Sequence, residues 1–296
     1  MTSPFVDRPV TVRTPASSAN LGPGFDALGL ALDVHDELTA EVLPGDALEI
    51  VVEGEGADEV SRDAGHLVVR SFDAALDLMG LRRPGLRLTC RNVIPHGRGM
   101  GSSSAAIVGG IALAKALVEG VEVLDDRATL QLAHDLEGHP DNVAAALLGG
   151  LTIAWTEGFA AEALRLEVAV PLTLFVPDSP VSTEAARGLL PDAVTHADAA
   201  ANAGRAALLV AALTQAPERL AAATEDLLHQ QYRAPAMPDS YQLVRSLRVD
   251  GVPAVISGAG PTVLAFARGV AGACPDGWRV LEVEVADRGV HVVDTP

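Results

Sequence analysis

Short runs of alternating apolar and polar residues in the first third of the chain indicate half-buried β-strands. They lie at 10–13, 37–42, 48–52 and 86–90. Apolar residues that recur at helical spacing predict helices between and after these runs. The helices are predicted at 66–78, 102–118 and 128–136, and one more begins after a break at 137–143 and ends at Gly149-Gly150. A loop rich in proline, glycine, serine and asparagine is predicted at 14–24.

The second half of the chain predicts a similar mixture of elements. Strands are predicted at 168–176, 252–256, 263–266, 282–285 and 290–293, and helices at 193–214 and 216–229. Strands and helices lack the regular period of a doubly wound parallel sheet, so the pattern favours an α+β fold in two layers. The apolar pattern is interrupted between Thr156 and Leu166. We therefore predict a first domain over 1–160 and a second domain over 161–296.

The chain has 296 residues, a formal net charge of −18 and two cysteines. The negative charge argues against nucleic acids and anionic membrane surfaces as partners, since both attract a basic surface. The negative charge remains compatible with a small anionic ligand that binds as its magnesium complex in a locally positive pocket. Cys90 and Cys274 are too few for a disulfide scaffold or a zinc site. The sequence shows no targeting signal and no apolar run of about 18 residues, so we expect a cytoplasmic protein without a membrane span.

The segment with the most specific chemistry is 95–106, with the sequence PHGRGMGSSSAA. Its three glycines permit tight turns and let a ligand approach the backbone closely. The predicted helix that follows would direct unpaired N–H groups at an anion, above all a phosphate. The glycines are Gly97, Gly99 and Gly101. This segment is a candidate phosphate loop.

The candidate loop lacks the lysine of a Walker A motif, and Lys115 is the only lysine in the chain. Backbone amides, Arg98 and a metal ion would then have to hold the phosphate. The serines Ser102, Ser103 and Ser104 could reach that metal ion. The alternative is an ordinary glycine turn in which these serines only cap the helix.

A second unusual stretch covers 14–30, where Asn20 and Asp26 flank a Gly-Pro-Gly bend at 22–24. An amide both donates and accepts hydrogen bonds, whereas an ionised carboxylate only accepts them. Asp26 would therefore suit an ammonium group or a hydroxyl proton. The alternative is an Asx turn followed by a helix cap.

Acidic groups occupy the predicted helix break at 137–143. Glu137 could complete an octahedral Mg²⁺ shell with phosphate oxygens, a serine hydroxyl and water. The alternative is a helix-terminal carboxylate, with Asp141 capping the next helix. His134 and His139 are five residues apart, which is not the spacing of two zinc ligands on one helical face, so we expect surface or packing histidines.

Two arginines and one turn in the second half are further candidates. Arg187 and Arg233 lie in predicted loops and could make forked contacts with a carboxylate. The alternative for each is a solvated surface arginine. The turn at 257–262 joins two predicted strands, and its glycines would permit close approach to a ligand or to the candidate phosphate loop. A plain hairpin turn is the alternative.

Three glycine-rich segments, at 15–26, 95–106 and 257–262, resemble in their order the three motifs of the GHMP kinase superfamily. The match spans most of the chain, and its second segment resembles the ATP-phosphate loop of that superfamily. Within the superfamily, the homoserine kinases are the family that the chain resembles. The segments that carry this resemblance are PASSANLGPGFD at 15–26, EGHPDNV at 137–143 and YRAP at 232–235. Met100 replaces a common leucine and Ser104 an alanine.

The resemblance implies transfer of the γ-phosphoryl group of ATP to the hydroxyl of L-homoserine, giving O-phospho-L-homoserine for threonine biosynthesis. It also implies a homodimer with the two-domain GHMP kinase fold. In that fold an N-terminal α+β domain carries the phosphate loop, a C-terminal domain is ferredoxin-like, and the substrate lies between them. The alternatives are another small-molecule kinase of the superfamily and a non-catalytic regulator that binds amino acids or nucleotides.

The same resemblance implies roles for individual residues, but it names no general base. It assigns Mg²⁺ to Ser103 and Glu137, although three consecutive serines leave the metal ligand open. Catalytic roles fall to Ser103, Glu137, Thr183 and Arg187. The positions that match the nucleotide site are Pro95, Gly97, Arg98, Gly99, Met100, Gly101, Ser102, Ser103, Ser104, Ala105, Gly258 and Gly260. Those that match the amino-acid site are Asn20, Asp26, Asn142, Thr183, Arg187 and Arg233.

Overall fold

The computed structural model describes residues 4–293, which form two β-sheets with associated helices. The strands are β1 (Val10–Ala19), β2 (Leu28–Leu43), β3 (Leu48–Gly54), β4 (Gly85–Asn92), β5 (Leu151–Glu157), β6 (Ala160–Leu166), β7 (Leu172–Val176), β8 (Ala254–Ile256), β9 (Val263–Ala265), β10 (Arg279–Val283) and β11 (His291–Val293). The first sheet has the order β11-β1-β2-β4-β3, with β5 paired to β2 and β6 paired to β5. The second sheet has the order β10-β7-β9-β8 and is antiparallel throughout. In the first sheet β3 and β4 run parallel.

The helices complete an α+β fold, as the sequence predicts. They are α1 (Leu67–Leu78), α2 (Ser102–Leu117), α3 (Asp126–Glu137), α4 (Pro140–Leu148), α5 (Thr183–Arg187), α6 (His196–Thr214), α7 (Leu220–Ala223), α8 (Gln230–Arg233) and α9 (Pro238–Val249). Within residues 4–293, none of them combines the length and the apolar character needed to cross a bilayer.

Helix α2 is buried along most of its length, which explains why its sequence is apolar on all sides. Two glycines bring its neighbours unusually close. A β-carbon on Gly109 would overlap the side chain of Leu38, and one on Gly110 would overlap the carbonyl oxygen of Val68. The helix therefore packs directly on β2 and α1, and this packing fixes the position of the glycine loop that precedes it.

Three hydrophobic clusters hold the two sheets and their helices together. The first lies between the first sheet and α1 to α4. The second joins the two sheets, since it combines Leu30 of β2, Leu174 of β7 and Leu209 of α6, all fully buried. The third lies between the second sheet and α9. Because the second cluster is shared, the chain segments at the junction of the sheets are held by packing from both sides.

The three glycine-rich segments meet at this junction. A β-carbon on Gly99 would overlap the carbonyl oxygen of Ser257, and one on Gly101 would overlap the hydroxyl of Ser17. The hydroxyl of Ser257 donates a hydrogen bond to the carbonyl of Gly99 at 2.6 Å. The backbone N–H of Gly258 donates to the carbonyl of Ala19 at 3.0 Å. We refer to this contact of residues 17–20, 97–101 and 257–260 as the glycine junction.

The loop predicted at 14–24 is partly wrong, because β1 continues to Ala19. Residues 16–19 pair with β2 after a register shift between Pro15 and Ala16. The shift accommodates the proline, which cannot donate to the sheet, and the strand resumes beyond it. The turn predicted at 257–262 is confirmed, since it connects the antiparallel pair β8 and β9.

The helix predicted at 216–229 is also wrong beyond Ala223. The carboxylate of Asp226 accepts hydrogen bonds from the backbone N–H groups of Leu228, His229 and Gln230. A side chain that binds nearby N–H groups replaces the helical partners of those groups and ends the helix. This local arrangement begins α8, which carries Arg233.

The predicted domain boundary between residues 160 and 161 lies at the first residue of β6. That strand pairs with β5 along its full length, so the first sheet extends to Leu166. The last strand, β11, returns to β1 in the same sheet. The division at 160 stays a prediction.

We expect Gly99→Ala to lower the free energy of unfolding far more than Gly120→Ala. Both glycines have a left-handed φ, 72° and 71°, so each substitution costs about 1–2 kcal/mol of backbone strain. Gly120 has no neighbour within 4 Å, whereas Gly99 faces the backbone of 257–260. Overlap there adds about 1–3 kcal/mol. Urea unfolding of both variants measures the difference, and equal losses would show that the glycine junction is not tightly packed.

Candidate active site

A cavity of about 270 Å³ opens beside the glycine junction. Its walls are formed by loops and helix ends that are connected to the two sheets. They are formed by Asn20, Asp26, Gly97, Arg98, Gly99, Met100, Gly101, Ser102, Ser103, Glu137, His139, Asp141, Asn142, Thr183, Arg187, Arg233, Gly258 and Ala259. The structure thus brings most of the sequence-predicted site residues together around a single space.

One end of the cavity is the glycine loop before α2. Gly97, Gly99 and Gly101 all have left-handed φ values, of 64°, 72° and 70°. No side chain caps α2, so the first N–H groups of this helix have no side-chain partner at its N-terminus. An uncapped helix start behind a glycine loop is a binding site for phosphate. The alternative interpretation, in which the serines cap this helix, is therefore wrong.

The loop serines instead contact Glu137 at the end of α3. The hydroxyls of Ser103 and Ser104 donate to Oε1 of Glu137 at 2.7 Å and 2.9 Å. Ser104 is fully buried, whereas Ser103 lines the cavity. A hydroxyl and a carboxylate beside a phosphate loop are oxygen ligands of the kind that Mg²⁺ prefers. Residues 4–293 contain no cluster of three His, Cys, Asp or Glu ligands, so a cation here would need oxygens from phosphate and water as well.

Another part of the cavity wall carries charged side chains. The guanidinium of Arg187 donates to both carboxylate oxygens of Asp26, at 3.1 Å and 2.7 Å. The hydrogen bonds that Arg187 donates to Asp26 raise the pKa of Arg187 above its ordinary value. This pair places one negative and one positive group side by side at the cavity wall. Such an arrangement is complementary to the ammonium and carboxylate of a free amino acid.

Arg233 lies behind this pair and is only 2% exposed. Its Nη1 has two long contacts, to Nδ1 of His229 at 3.3 Å and to the carbonyl of Gly258 at 3.4 Å. Its Nε is buried and has no hydrogen-bond partner within residues 4–293. Burial lowers the pKa of this guanidinium. A buried and weakly partnered cation at a cavity wall favours an anionic ligand.

The two predicted asparagines have different surroundings. Asn20 has a left-handed φ of 68°, and its side chain is used within the protein. Its Nδ2 donates to Gly258 at 2.9 Å, and its Oδ1 accepts from the N–H of Asp26 at 2.9 Å. Asn142 accepts a hydrogen bond from Ser17 through Oδ1 at 2.8 Å. Asn20 therefore holds the loop that carries Asp26, while the amide nitrogen of Asn142 remains available at the cavity.

Sequence reasoning missed His139 and Asp141 as cavity residues. His139, which was expected to be a surface or packing histidine, is half-buried and lines the cavity. Its Nδ1 lies 3.0 Å from Oδ1 of Asp141, and this contact raises the pKa of His139. Asp141 is only 2% exposed and accepts the N–H of Asn142 at 2.8 Å. The sequence signal for Asp141 was the position of this residue in the first turn of α4, one residue before Asn142.

A second cavity, of about 230 Å³, adjoins the first. Ser102 and Ser103 line both. The walls of the second cavity are largely apolar, but Nδ1 of His66 is buried there without a partner in the described chain. The other lining residues are Asp36, Leu38, Val60, Leu67, Val68, Cys90, Asn92, His96, Ala105 and Ala106.

Burial raises the pKa values of two acidic groups in the second cavity. Desolvation raises the pKa of Asp36 to about 6, although the N–H groups of Val93 and Ile94 bind its carboxylate. Burial raises the pKa of Cys90 to about 12, so this thiol is protonated. Because its walls are largely apolar, the cavity is suited to a mostly uncharged group.

Four residues predicted for the nucleotide site do not line the first cavity. Ala105 lines the second cavity instead. Ser104 is buried against Glu137, and Gly260 packs closely on Met237. The fourth is Pro95, which is buried in the loop before Gly97. Their assignment to the nucleotide site stays a prediction.

Comparison with known proteins identifies relatives along the whole chain. A family model for the N-terminal domain of GHMP kinases matches residues 66–150. The homoserine kinase of Streptomyces avermitilis is 56% identical over 293 residues, which cover 96% of this chain and 95% of that protein. The homoserine kinase of Leifsonia xyli is 50% identical over 96% of this chain and 92% of that protein.

A solved structure supports the fold independently. The crystal structure of homoserine kinase from Cytophaga hutchinsonii superposes with a TM-score of 0.84, at 24% identity, over 99% of each chain. At this identity the likeness concerns the fold alone. Taken with the sequence relatives, it shows that the chain belongs to the homoserine kinase family, a family of ATP-dependent enzymes within the GHMP kinases.

Proposed function

We propose that this enzyme transfers the γ-phosphoryl group of ATP to the side-chain hydroxyl of L-homoserine, giving O-phospho-L-homoserine and ADP. One observation carries the proposal beyond family membership. The glycine loop before α2 and a pair of opposite charges line the same cavity, together with the buried Arg233. The phosphate donor and an amino-acid acceptor can therefore meet within one space.

The two adjoining cavities suit the parts of ATP. The glycine loop and the start of α2 would hold the phosphates. The apolar second cavity would hold the base, because Ser102 and Ser103 connect it directly to the phosphate loop. His66, with its buried and unpartnered Nδ1, would contact a polar edge of the base.

Ser103 and Glu137 would hold Mg²⁺ through oxygen atoms. Both line the first cavity, and their side chains are 2.7 Å apart. A magnesium ion bound there supplies charge neutralisation to the phosphate groups. Ser104 is the less suitable ligand, because its hydroxyl is buried away from the cavity.

The charged end of the cavity would bind the amino acid. Asp26 would accept the ammonium group, and Arg187 and Arg233 would bind the carboxylate. Thr183 and Asn142 line the same space and would lie near the side-chain hydroxyl. Asp26 and Arg187 form a close ion pair. A zwitterionic amino acid can replace the contact between them with contacts from its own ammonium and carboxylate, and the charges then remain balanced.

The cavity contains three carboxylates, and each already has hydrogen-bond partners. Asp26 binds Arg187, Glu137 binds two serines, and Asp141 binds His139. We therefore assign no general base. Phosphoryl transfer can proceed through alignment of the reactants and neutralisation of developing charge, with late loss of the hydroxyl proton.

The resemblance also supports a cytoplasmic homodimer, which we include in the proposal. Light scattering coupled to gel filtration measures the mass of the particle directly. A mass of one chain would refute the dimer without affecting the proposed reaction.

The reaction itself is tested by ADP release from Mg-ATP with a panel of acceptors. The panel contains L-homoserine, L-serine, L-threonine, mevalonate, shikimate and galactose, and ³¹P spectra identify the product. We expect release with L-homoserine alone and an acid-stable phosphomonoester. ADP release with another alcohol would support a kinase activity but contradict L-homoserine as its substrate. Binding of ATP without any ADP release would indicate a non-catalytic regulator.

We expect Ser103→Ala and Glu137→Gln to increase the Mg²⁺ concentration needed for half-maximal rate by about tenfold or more, because each removes an oxygen ligand. Ser104→Ala is the matched control. Its hydroxyl contacts the same Oε1 of Glu137 but does not line the cavity, so its Mg²⁺ requirement should change little. Titration of Mg²⁺ at fixed ATP gives the comparison. A larger effect from Ser104→Ala would indicate that Ser104, and not Ser103, binds the metal ion.

We expect Arg233→Ala to raise the KM for L-homoserine by an amount worth about 1.5–3 kcal/mol, as for a charge-assisted hydrogen bond. The KM for ATP should stay close to that of the unmodified enzyme. Arg245→Ala, which removes an exposed arginine from α9, is the control for loss of positive charge. If only the KM for ATP increases, Arg233 belongs to the nucleotide end of the cavity.

A further inference from the structure

Arg98 lies within the phosphate loop, and all three nitrogens of its guanidinium are hydrogen-bonded to backbone carbonyls. Nε donates to Pro177 at 3.2 Å, and Nη1 donates to His96 at 2.6 Å. Nη2 donates to Asp178. Two of these carbonyls belong to Pro177 and Asp178, which directly follow β7 in the chain. The side chain therefore bridges the phosphate loop and a segment that is distant in sequence.

We refer to residues 177–187 as the acceptor segment, because they end in α5 with Thr183 and Arg187. The packing of this segment is sparse beyond Val181, which packs against the third hydrophobic cluster. Within α5 only Ala186 is buried, and residues 178–180 are exposed. A segment with few buried apolar contacts is weakly stable by itself and depends on its polar contacts for its position.

The contacts that hold the acceptor segment converge on two residues of the phosphate loop. Besides the bonds from Arg98, the N–H of Val181 donates to the carbonyl of Gly97 at 3.0 Å. The far end of the segment is held by the pair of Arg187 with Asp26. The segment is thus attached to the phosphate loop at one end and to the amino-acid end of the cavity at the other.

We propose that Arg98 is a positioning residue that fixes the acceptor segment on the phosphate loop. Through these bonds, Thr183 and Arg187 are held at a set distance from the loop that binds the phosphates. The inference rests on the proposed function, since it couples the phosphoryl donor to its acceptor. Its consequence is that loss of the Arg98 side chain impairs the placement of the amino acid more than the binding of the nucleotide.

The competing role for Arg98 is direct contact with phosphate, as the sequence indicated. A guanidinium has five N–H groups, and here one N–H of each nitrogen already faces a carbonyl. These three bonds fix the plane of the group between the loop and the acceptor segment. The two roles differ in a measurable way, because a phosphate ligand contributes to nucleotide affinity even when no amino acid is bound.

Arg98→Ala separates the two roles through three quantities. They are the KM for L-homoserine, kcat, and the Kd of a non-hydrolysable ATP analogue with Mg²⁺ but without amino acid. We expect the KM for L-homoserine to rise about tenfold or more and kcat to fall, while the Kd changes by less than about twofold. Arg98→Lys should have an intermediate effect, because an ammonium cannot bind both strand-end carbonyls in the forked geometry of arginine.

Arg219→Ala is the matched control, since Arg219 is exposed and lies outside both cavities. All three quantities should be unchanged in this variant. A tenfold weaker Kd for the analogue with an unchanged KM for L-homoserine would overturn the proposal and make Arg98 a phosphate ligand. Unchanged values for Arg98→Ala in all three quantities would overturn it as well.

Hydrogen exchange of the full chain gives a test that does not depend on the acceptor. In Arg98→Lys, we expect amides of residues 178–187 to exchange faster, while those of α2 keep their protection. Unaltered exchange in the acceptor segment would refute the positioning role, even if Arg98→Ala failed to fold. Failure of the proposed function is distinguishable, because the unmodified enzyme would then show no turnover with L-homoserine.

Discussion

The close backbone packing at the glycine junction is the constraint on which the site depends. Gly99 lies against the backbone of Ser257 and Gly260 with no room for a β-carbon, and Gly101 lies equally close to Ser17. Because three segments from distant parts of the sequence touch through their backbones, none can shift without the others. The phosphate loop therefore has a fixed relation to the loop of Asp26, which Asn20 ties to Gly258.

The charges at the site differ from the average charge of the chain. The protein has a formal net charge of −18, yet Arg98, Arg187 and Arg233 all line the first cavity. The hydrogen bonds to Asp26 raise the pKa of Arg187, and burial lowers the pKa of Arg233. The negative charges of Asp26, Asp226 and Asp141 offset part of the effect of burying Arg233. The cavity wall carries three arginines and three carboxylates, so it is close to neutral within a strongly acidic chain. It is therefore compatible with a small anionic substrate, since interactions at close range in a buried site outweigh distant and screened surface charges.

Local patterns in the sequence predicted the helix after the phosphate loop, because glycine and serine chemistry and apolar spacing act within a few residues. Features that depend on distant partners were not predictable in this way. The continuation of β1 to Ala19 requires pairing with β2 across a register shift, and the turn at Asp226 requires a side chain to replace helical hydrogen bonds. The second cavity is assembled from α1, α2, β2 and β4, so no single stretch of sequence carries its pattern.

Every carboxylate in the first cavity has a hydrogen-bond partner. This changes which structural features can control the rate of phosphoryl transfer. Where a free general base removes the proton, the identity and pKa of one residue dominate. Here Asp26, Glu137 and Asp141 are all partnered, so in the proposed reaction the rate would depend on the alignment of the phosphoryl donor and its acceptor. Alignment is set by the backbone contacts of the glycine junction and by the buried core that joins the two sheets. Ser257, which does not line the first cavity, therefore contributes to this alignment through its contact with Gly99.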